Sequence, residues 1–185
     1  MTQNKFLQTA LTAAEKAEKA IMEIYKADIA VEFKADNTPV TRADKEAERI
    51  IVETIKEQFP DHSILGEESG EDMRESDYVW IIDPIDGTKN FTRHTDIFGT
   101  QIALAERGEF IVGVSNMPAL GERMFAARGE GAFLNDAPIT VSSVAALKES
   151  FVCFGGLDNF IQDGHVDALG SLVQRVLHSR NLGDC

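Results

Sequence analysis

Trp80-Ile81-Ile82-Asp83-Pro84-Ile85-Asp86-Gly87-Thr88-Lys89-Asn90-Phe91 is the stretch on which the reading of this chain turns. The β-rich run from Tyr78 to Ile82 is stopped by Asp83-Pro84, so a buried strand ends in two carboxylates, Asp83 and Asp86, set three residues apart around a proline. Both acids can then point into one site. Hard cations such as Mg²⁺ take carboxylate and carbonyl oxygens and keep places for water and a substrate phosphate. Asp83, Asp86 and the carbonyl of Ile85 suit such an ion. Gly87 and Thr88 follow at a helix start, where backbone N–H groups and the positive end of the helix dipole can approach phosphate oxygens. An isolated Asp-Gly pair would read as a solvated turn; the twelve residues together argue for a site.

Upstream, Ser63 to Leu65 reads as a short strand running into Gly66-Glu67-Glu68-Ser69-Gly70, a second place where a strand delivers acids. Near the start, Leu7, Leu11, Ala14, Ala17, Ile21 and Ile24 recur at spacings of three and four, which predicts an amphipathic helix from Phe6 to Tyr25. Val31 to Phe33 is extended and leads into a polar loop, Lys34 to Pro39, expected to be mobile. Thr41-Arg42-Ala43-Asp44 has the form of a capping box, opening a helix whose buried stripe is Ala47, Ile50, Ile51 and Ile55 and which Pro60 ends. On spacing alone, capping is the better account of Asp44. Downstream, Gly99 to Ala105, Phe110 to Met117, Arg123 to Ala127 and Ala132 to Leu134 have the spacing of an antiparallel meander. A strand at Phe151 to Phe154 and a helix near Val166 to His178 complete the pattern, with no repeat or clear linker to separate a second domain.

With 43% hydrophobic and 26% charged residues over 185 positions, the composition excludes disorder and fibrous repeats. No apolar run reaches the ~20 residues that cross a bilayer, and Met1 to Ala20 lacks the pattern of a signal sequence, so a cytoplasmic protein without a membrane partner is expected. The net charge of −13 argues against general nucleic-acid binding. It also sets a problem, because an acidic site repels a phosphate ester by ~1 kcal/mol per charge pair at about 4 Å in water, and by about 4 kcal/mol at an effective dielectric of roughly 20. Cations must intervene. Cys153 and Cys185 show no metal spacing, and neither do His62, His94, His165 and His178, for which surface or core roles are expected.

The stretch from Trp80 to Phe91 resembles the signature W-x-x-D-P-x-D-G-T-x-N-F of the inositol monophosphatase family at every fixed position, and Gly66-Glu67-Glu68 resembles that family's second motif. The loop at Lys34, Val40 to Asp44, and Gly129-Glu130-Gly131-Ala132-Phe133 resemble further family segments, so the likeness covers nearly the whole chain. It implies an α+β fold, the layered αβαβα sandwich of the inositol monophosphatase and fructose-1,6-bisphosphatase type. The chain would be one phosphatase domain over residues 1–185, with about 1–145 as the metal-binding part and about 146–185 as the start of a second subdomain. The resemblance implies that Glu67, Asp83 and Asp86, with the Ile85 carbonyl, bind two or three Mg²⁺ ions; Glu68, its neighbour in an exposed loop, either faces water or reaches an outer shell of the metal. It further implies that Thr88 with Asp44 activates the attacking water and that the Gly87 and Thr88 amides hold the phosphate. Inhibition by Li⁺ and a homodimer follow from the same likeness.

Within the family, Lys34 to Thr41 and Gly87-Thr88-Lys89-Asn90-Phe91 look more like the histidinol-phosphate phosphatase branch, where the inositol branch commonly has threonine at the position of Lys89. Arg180 to Asp184 resembles a segment that approaches the organic part of the substrate; Asp184 there would pair with an amine or imidazolium, or else cap a turn. The expected substrate is therefore a small phosphate monoester, histidinol phosphate first and inositol 1-phosphate or a sugar phosphate second. Family members continue to a W-D-x-A-A-G-like motif whose aspartate completes the metal site, and this chain ends at Cys185 before it. A truncated chain with impaired catalysis is the expectation drawn from that, with a non-catalytic metal-binding or interaction protein as the rival of another class.

Overall fold

The structure, a computed structural model, describes residues 4–27, 29–33 and 39–182. The polar loop from Lys34 to Thr38 and the expected substrate contact Asp184 lie outside the described residues. The chain packs as two compact units, Met1–Ile139 and Thr140–Cys185.

In the first unit, helix α1 (Lys5–Tyr25) starts where the Asn4 side chain accepts hydrogen bonds from the N–H groups of Phe6 and Leu7. Its fully buried face is rich in alanine, with Ala10, Ala13, Ala14 and Ala17 between Leu7 and Ile21, while Leu11 and Ile24 are only partly buried. Small side chains let α1 lie close against α2 (Arg42–Gln58), whose own buried line is Ala43, Ala47, Ile51 and Ile55. Between the helices, β1 (Val31–Phe33) and β2 (Pro39–Thr41) form an antiparallel pair. The capping box at Thr41 and Asp44 is present.

Both helices contribute to a core shared with a mixed sheet in which β3 (Ser63–Gly66), β4 (Gly70–Asp72), β5 (Tyr78–Asp86), β6 (Gly99–Glu106), β7 (Glu109–Met117), β8 (Glu122–Ala127), β9 (Gly131–Leu134) and β10 (Ala137–Ile139) take the order β10-β9-β8-β7-β6-β5-β3-β4. Within this sheet only β3 and β5 run parallel; α2 precedes β3, and β4 lies in the connection between the two. Trp80 and Ile82, Ile102 and Leu104, and Val112 and Val114 alternate into the core with the strand period of two. The opposite face carries Ile81, Ala103, Met124 and Phe133 around an apolar hollow of about 410 Å³. This is an α+β arrangement, and the expected meander is β6 to β9. Strand β10 was not anticipated, because Pro138 argues against a central strand; at the sheet's edge it is tolerated.

Strand β5 corrects one expectation. It does not stop at Asp83-Pro84 but continues to Asp86. Asp83 is opposite Gln101 and Asp86 is opposite Gly99, so β5 spends one residue more than β6 over this interval. The extra residue is a bulge, which accommodates a proline that has no N–H to pair. Thr100 Oγ1 donates to the Pro84 carbonyl at 2.8 Å and fastens it. In a regular strand, residues three apart face opposite sides; the bulge lets both acids face one.

The second unit contains a 3-10 turn at Leu147–Glu149, β11 (Phe151–Phe154), α4 (Leu157–Gln162), α5 (Val166–Val173) and β12 (His178–Asn181). The helix expected through His178 ends at Val173 instead, and His178–Asn181 pairs in parallel with Phe151–Phe154. The Leu177 and His178 N–H groups both donate to the Ser150 carbonyl, which starts that pairing and leaves the last apolar residues outside the helix. No described helix is long and apolar enough to cross a membrane.

Candidate functional site

Glu67 sits in the turn between β3 and β4, and its N–H donates at 3.1 Å to the carbonyl of Ile82, the residue before Asp83. The parallel pairing of β3 with β5 therefore brings the two acidic strand ends together. The Asp83 carboxyl is pushed up from its ordinary 3.8 to about 8. Burial is the first cause, followed by the charge of Glu67, a hydrogen bond shared with Glu67 and the charge of Asp86, while a hydrogen bond from the Ile85 backbone pulls the other way. Asp83 Oδ1 is buried with no hydrogen-bond partner among the described residues. A buried carboxylate oxygen left without a partner is costly and calls for an ion, a water or a proton.

A divalent cation fits this arrangement. The donors are carboxylates, hard oxygen ligands of the kind Mg²⁺ takes, and a cation would offset the burial and the repulsion that raise the Asp83 pKa. Among the described residues no three His, Cys, Asp or Glu side chains converge as they stand on a single ion position. Glu67 and Asp83 do meet, and Asp86 lies within electrostatic reach of Asp83. Glu67 is exposed, and Glu68 and Asp86 are half-buried. The charge of Glu68 reaches Lys45, which is paired with Glu32 at 2.6 Å.

The second cluster joins the start of α2 to the β5–α3 turn, α3 being the short helix Thr88–Phe91. Asp44 is 1% exposed; its Oδ2 accepts from both Thr41 N, at 2.7 Å, and Thr41 Oγ1, at 2.6 Å. Its Oδ1 lies 3.3 Å from Thr88 Oγ1, which is also 3.0 Å from the Ile85 carbonyl oxygen. Asp44 thus serves the helix cap with one oxygen and meets Thr88 with the other, so the two accounts of it are compatible. Burial raises its pKa, against the lowering effect of the Thr41 and Thr88 hydrogen bonds. Gly87, at φ 85°, is the residue before α3 and adopts a left-handed conformation that glycine takes without strain. Thr88 has a single hydroxyl proton, so it donates either to the Ile85 carbonyl or to Asp44 Oδ1, and the Ile85 carbonyl has two lone pairs to offer. Lys89 is exposed on α3, and among the described residues no ion pair joins its side chain to the acids of the site.

Two residues beside the site have roles that were not anticipated. Gln101 Nε2 donates to Asp86 Oδ2 at 3.3 Å from the strand position opposite Asp83. Glu48, 2% exposed, accepts the backbone N–H groups of Glu68 and Ser69 at 2.8 and 2.7 Å. The one available signal was a glutamate on the buried side of a helix, a turn beyond Asp44. Of the histidines, His62 stacks between Phe59 and Tyr78 and accepts from Trp80 Nε1 at 3.1 Å, a core role. The His94 ring lies 5.1 Å from that of Tyr25.

The model of the inositol monophosphatase family matches residues 2–159. A histidinol-phosphatase of Chlorobaculum parvum is 44% identical over 149 residues, covering 80% of this chain and 58% of that protein. A histidinol-phosphatase of Mycobacterium tuberculosis is 37% identical over 184 residues, covering 96% of this chain and 71% of its own length. Among solved structures, the extragenic suppressor protein suhB of Bartonella henselae superposes with a TM-score of 0.89 at 30% identity, over 97% of this chain and 70% of that one. The chain therefore spans between about six and seven tenths of these relatives.

Proposed function

The chain belongs to the inositol monophosphatase family, and on that premise we propose that it carries the metal-binding and water-activating residues of a Mg²⁺-dependent phosphomonoesterase whose substrate is histidinol phosphate. The observation that carries this reading is the buried, partnerless Asp83 Oδ1 among mutually repelling acids. Glu67, Asp83, Asp86 and the Ile85 carbonyl would hold the metal, and Glu68 would act from its periphery. Bound Mg²⁺ supplies positive charge for the phosphate, a more acidic water and stabilisation of the leaving oxygen.

The residues of the chain account for the rest. Thr41 occupies Asp44 Oδ2, so Oδ1 alone faces Thr88. With its one hydroxyl proton turned from the Ile85 carbonyl to Oδ1, Thr88 accepts a hydrogen bond from the attacking water and aims that oxygen at phosphorus. As the water loses a proton to Thr88, Thr88 passes its own to Asp44. Burial raises the proton affinity of Asp44 and suits it to receive one. The new oxygen–phosphorus bond forms as the ester bond breaks, and the leaving alkoxide takes a proton from solvent water to give the alcohol. Amides at Gly87 and Thr88 steady the phosphate oxygens.

Histidinol phosphate is preferred because two of the three relatives described above bear the name histidinol-phosphatase and Lys89 follows that branch. Asp184 is the proposed partner of the substrate's amine or imidazolium. Inositol 1-phosphate or a sugar phosphate is the competing substrate, since the acid cluster does not distinguish one leaving alcohol from another. Two or three Mg²⁺ ions, inhibition by Li⁺, a homodimer and a cytoplasmic location belong to the same proposal. The test is phosphate release from histidinol phosphate and inositol 1-phosphate with and without Mg²⁺, with Asp83→Asn as control. Faster Mg²⁺-dependent release from histidinol phosphate, lost in the variant, supports the reading. Preference for inositol 1-phosphate would replace the substrate, and intact folding without turnover would favour the non-catalytic rival.

A further inference from the structure

Glu48 is used by neither the metal ligands nor the proton path, yet it is a carboxylate buried to 2% exposure beside an already acidic cluster. Such a group is costly unless its oxygens are satisfied. Both are: Oε2 accepts Glu68 N–H at 2.8 Å and Oε1 accepts Ser69 N–H at 2.7 Å. The carboxylate also occupies the space that a side chain at position 66 would take. A Cβ on Gly66 would meet Glu48 Cδ, Oε1 and Oε2 at 2.7, 2.7 and 2.8 Å, closer than real Cβ contacts come. Glycine at 66 and glutamate at 48 are therefore a matched pair.

The turn held in this way is the one that carries Glu67. Its N–H is tied to Ile82 O at 3.1 Å, and the next two N–H groups are tied to Glu48, so three consecutive amides are fastened from two elements. Asp44 and Glu48 are four residues apart on α2, one helical turn along the same face. One helix face thus grips both halves of the candidate site: Asp44 meets Thr88 after β5, and Glu48 clamps the turn after β3. A neutral group with one acceptor oxygen cannot accept both N–H groups in this way.

We propose that Glu48 is a positioning residue for the metal site, setting where Glu67 stands relative to Asp83 and so setting the affinity for Mg²⁺. This rests on the metal reading proposed above. Residues that orient metal ligands from behind typically alter affinity by about 10–100-fold. Glu48→Gln leaves the size unchanged but replaces one acceptor oxygen by an NH₂ facing an N–H. Gly66→Ala keeps the carboxylate and displaces it, giving a second variant should the first fold poorly.

The experiment is calorimetric titration of the 185-residue chain with Mg²⁺, together with amide hydrogen exchange at Glu68 and Ser69. Asp83→Asn serves as the control for the metal site itself. The expected result is about a 10–100-fold weaker Mg²⁺ affinity in both variants, with faster exchange at those two amides and retained circular dichroism. Wild-type affinity in a variant whose Glu68 and Ser69 amides exchange faster would overturn the role of Glu48 alone. Failure of the wild-type chain to bind Mg²⁺ any better than Asp83→Asn would overturn the metal reading, and this inference with it.

Discussion

Asp83→Asn should stabilise the metal-free chain at neutral and alkaline pH while removing its response to Mg²⁺. The folded state raises the Asp83 carboxyl from 3.8 to about 8, so between those values the folded chain binds a proton that the unfolded chain releases. Stability linked to this group is then present below about pH 4 and is lost as pH rises through about 8. Each tenfold change in proton affinity is worth about 1.4 kcal/mol, which gives a ceiling near ~6 kcal/mol. The carboxyl is partly open to solvent, and screening reduces this to about 1–2 kcal/mol. Asparagine cannot ionise and escapes the penalty. For a chain of this size, that corresponds to about 2–8 °C in melting temperature. The assay is thermal unfolding of both proteins in EDTA at pH 4.5 and pH 8, then at pH 8 with Mg²⁺. The variant should melt higher at pH 8, the difference should shrink towards pH 4.5, and Mg²⁺ should raise the wild-type melting temperature only. Equal melting at pH 8 in EDTA, or a variant that melts lower there, would refute the view that the fold penalises the charge of Asp83 by burial and by the neighbouring acids.

Thr88→Ala should lower phosphate release by about 100-fold or more, whereas Thr88→Ser, which keeps the hydroxyl beside Asp44, should retain most of it in the same assay. Asp44→Ala removes the acceptor of Thr41 N–H and should cost about 1 kcal/mol in urea unfolding as well as turnover. Burial lowers the pKa of His62, whose ring accepts from Trp80, so this part of stability is full above the ordinary 6.5 and is lost as pH falls below it. His62→Phe should flatten the stability profile below the ordinary 6.5. On the buried face of α1, Ala14 is fully buried, and Ala14→Leu should cost about 1–3 kcal/mol by overpacking, read from the same urea curves.

Legibility in the sequence followed the range of the interactions. The capping box at Thr41 and Asp44, the glycine before α3 and the alternation in β6 and β7 are local patterns, and each appears as expected. The continuation of β5 through Pro84 was hidden because it depends on β6 supplying Gln101 and Gly99 at a shifted register. The apolar helical spacing ran on through Val176 and Leu177, and the end of the helix at Val173 goes with the pairing of His178–Asn181 to Phe151–Phe154, distant in sequence. Within the site, Asp83, Asp86 and Thr88 stand in one string and could be named together. Glu48 could not, since a helical glutamate normally faces water, and its burial is decided by the backbone of a turn some twenty residues away. The contact between Asp44 and Thr88 spans |i−j| = 44 and was implied only by likeness to the family.

The central claim is that Glu67, Asp83 and Asp86 are assembled to hold a divalent cation. Anomalous diffraction from a crystal of this chain soaked in Mn²⁺, as a stand-in for Mg²⁺, tests it most directly. The expected result is a peak in contact with carboxylate oxygens of Glu67, Asp83 and Asp86 and with the Ile85 carbonyl, absent from crystals of Asp83→Asn. Ordered acids with no peak between them, or a peak that survives Asp83→Asn unchanged, would contradict it.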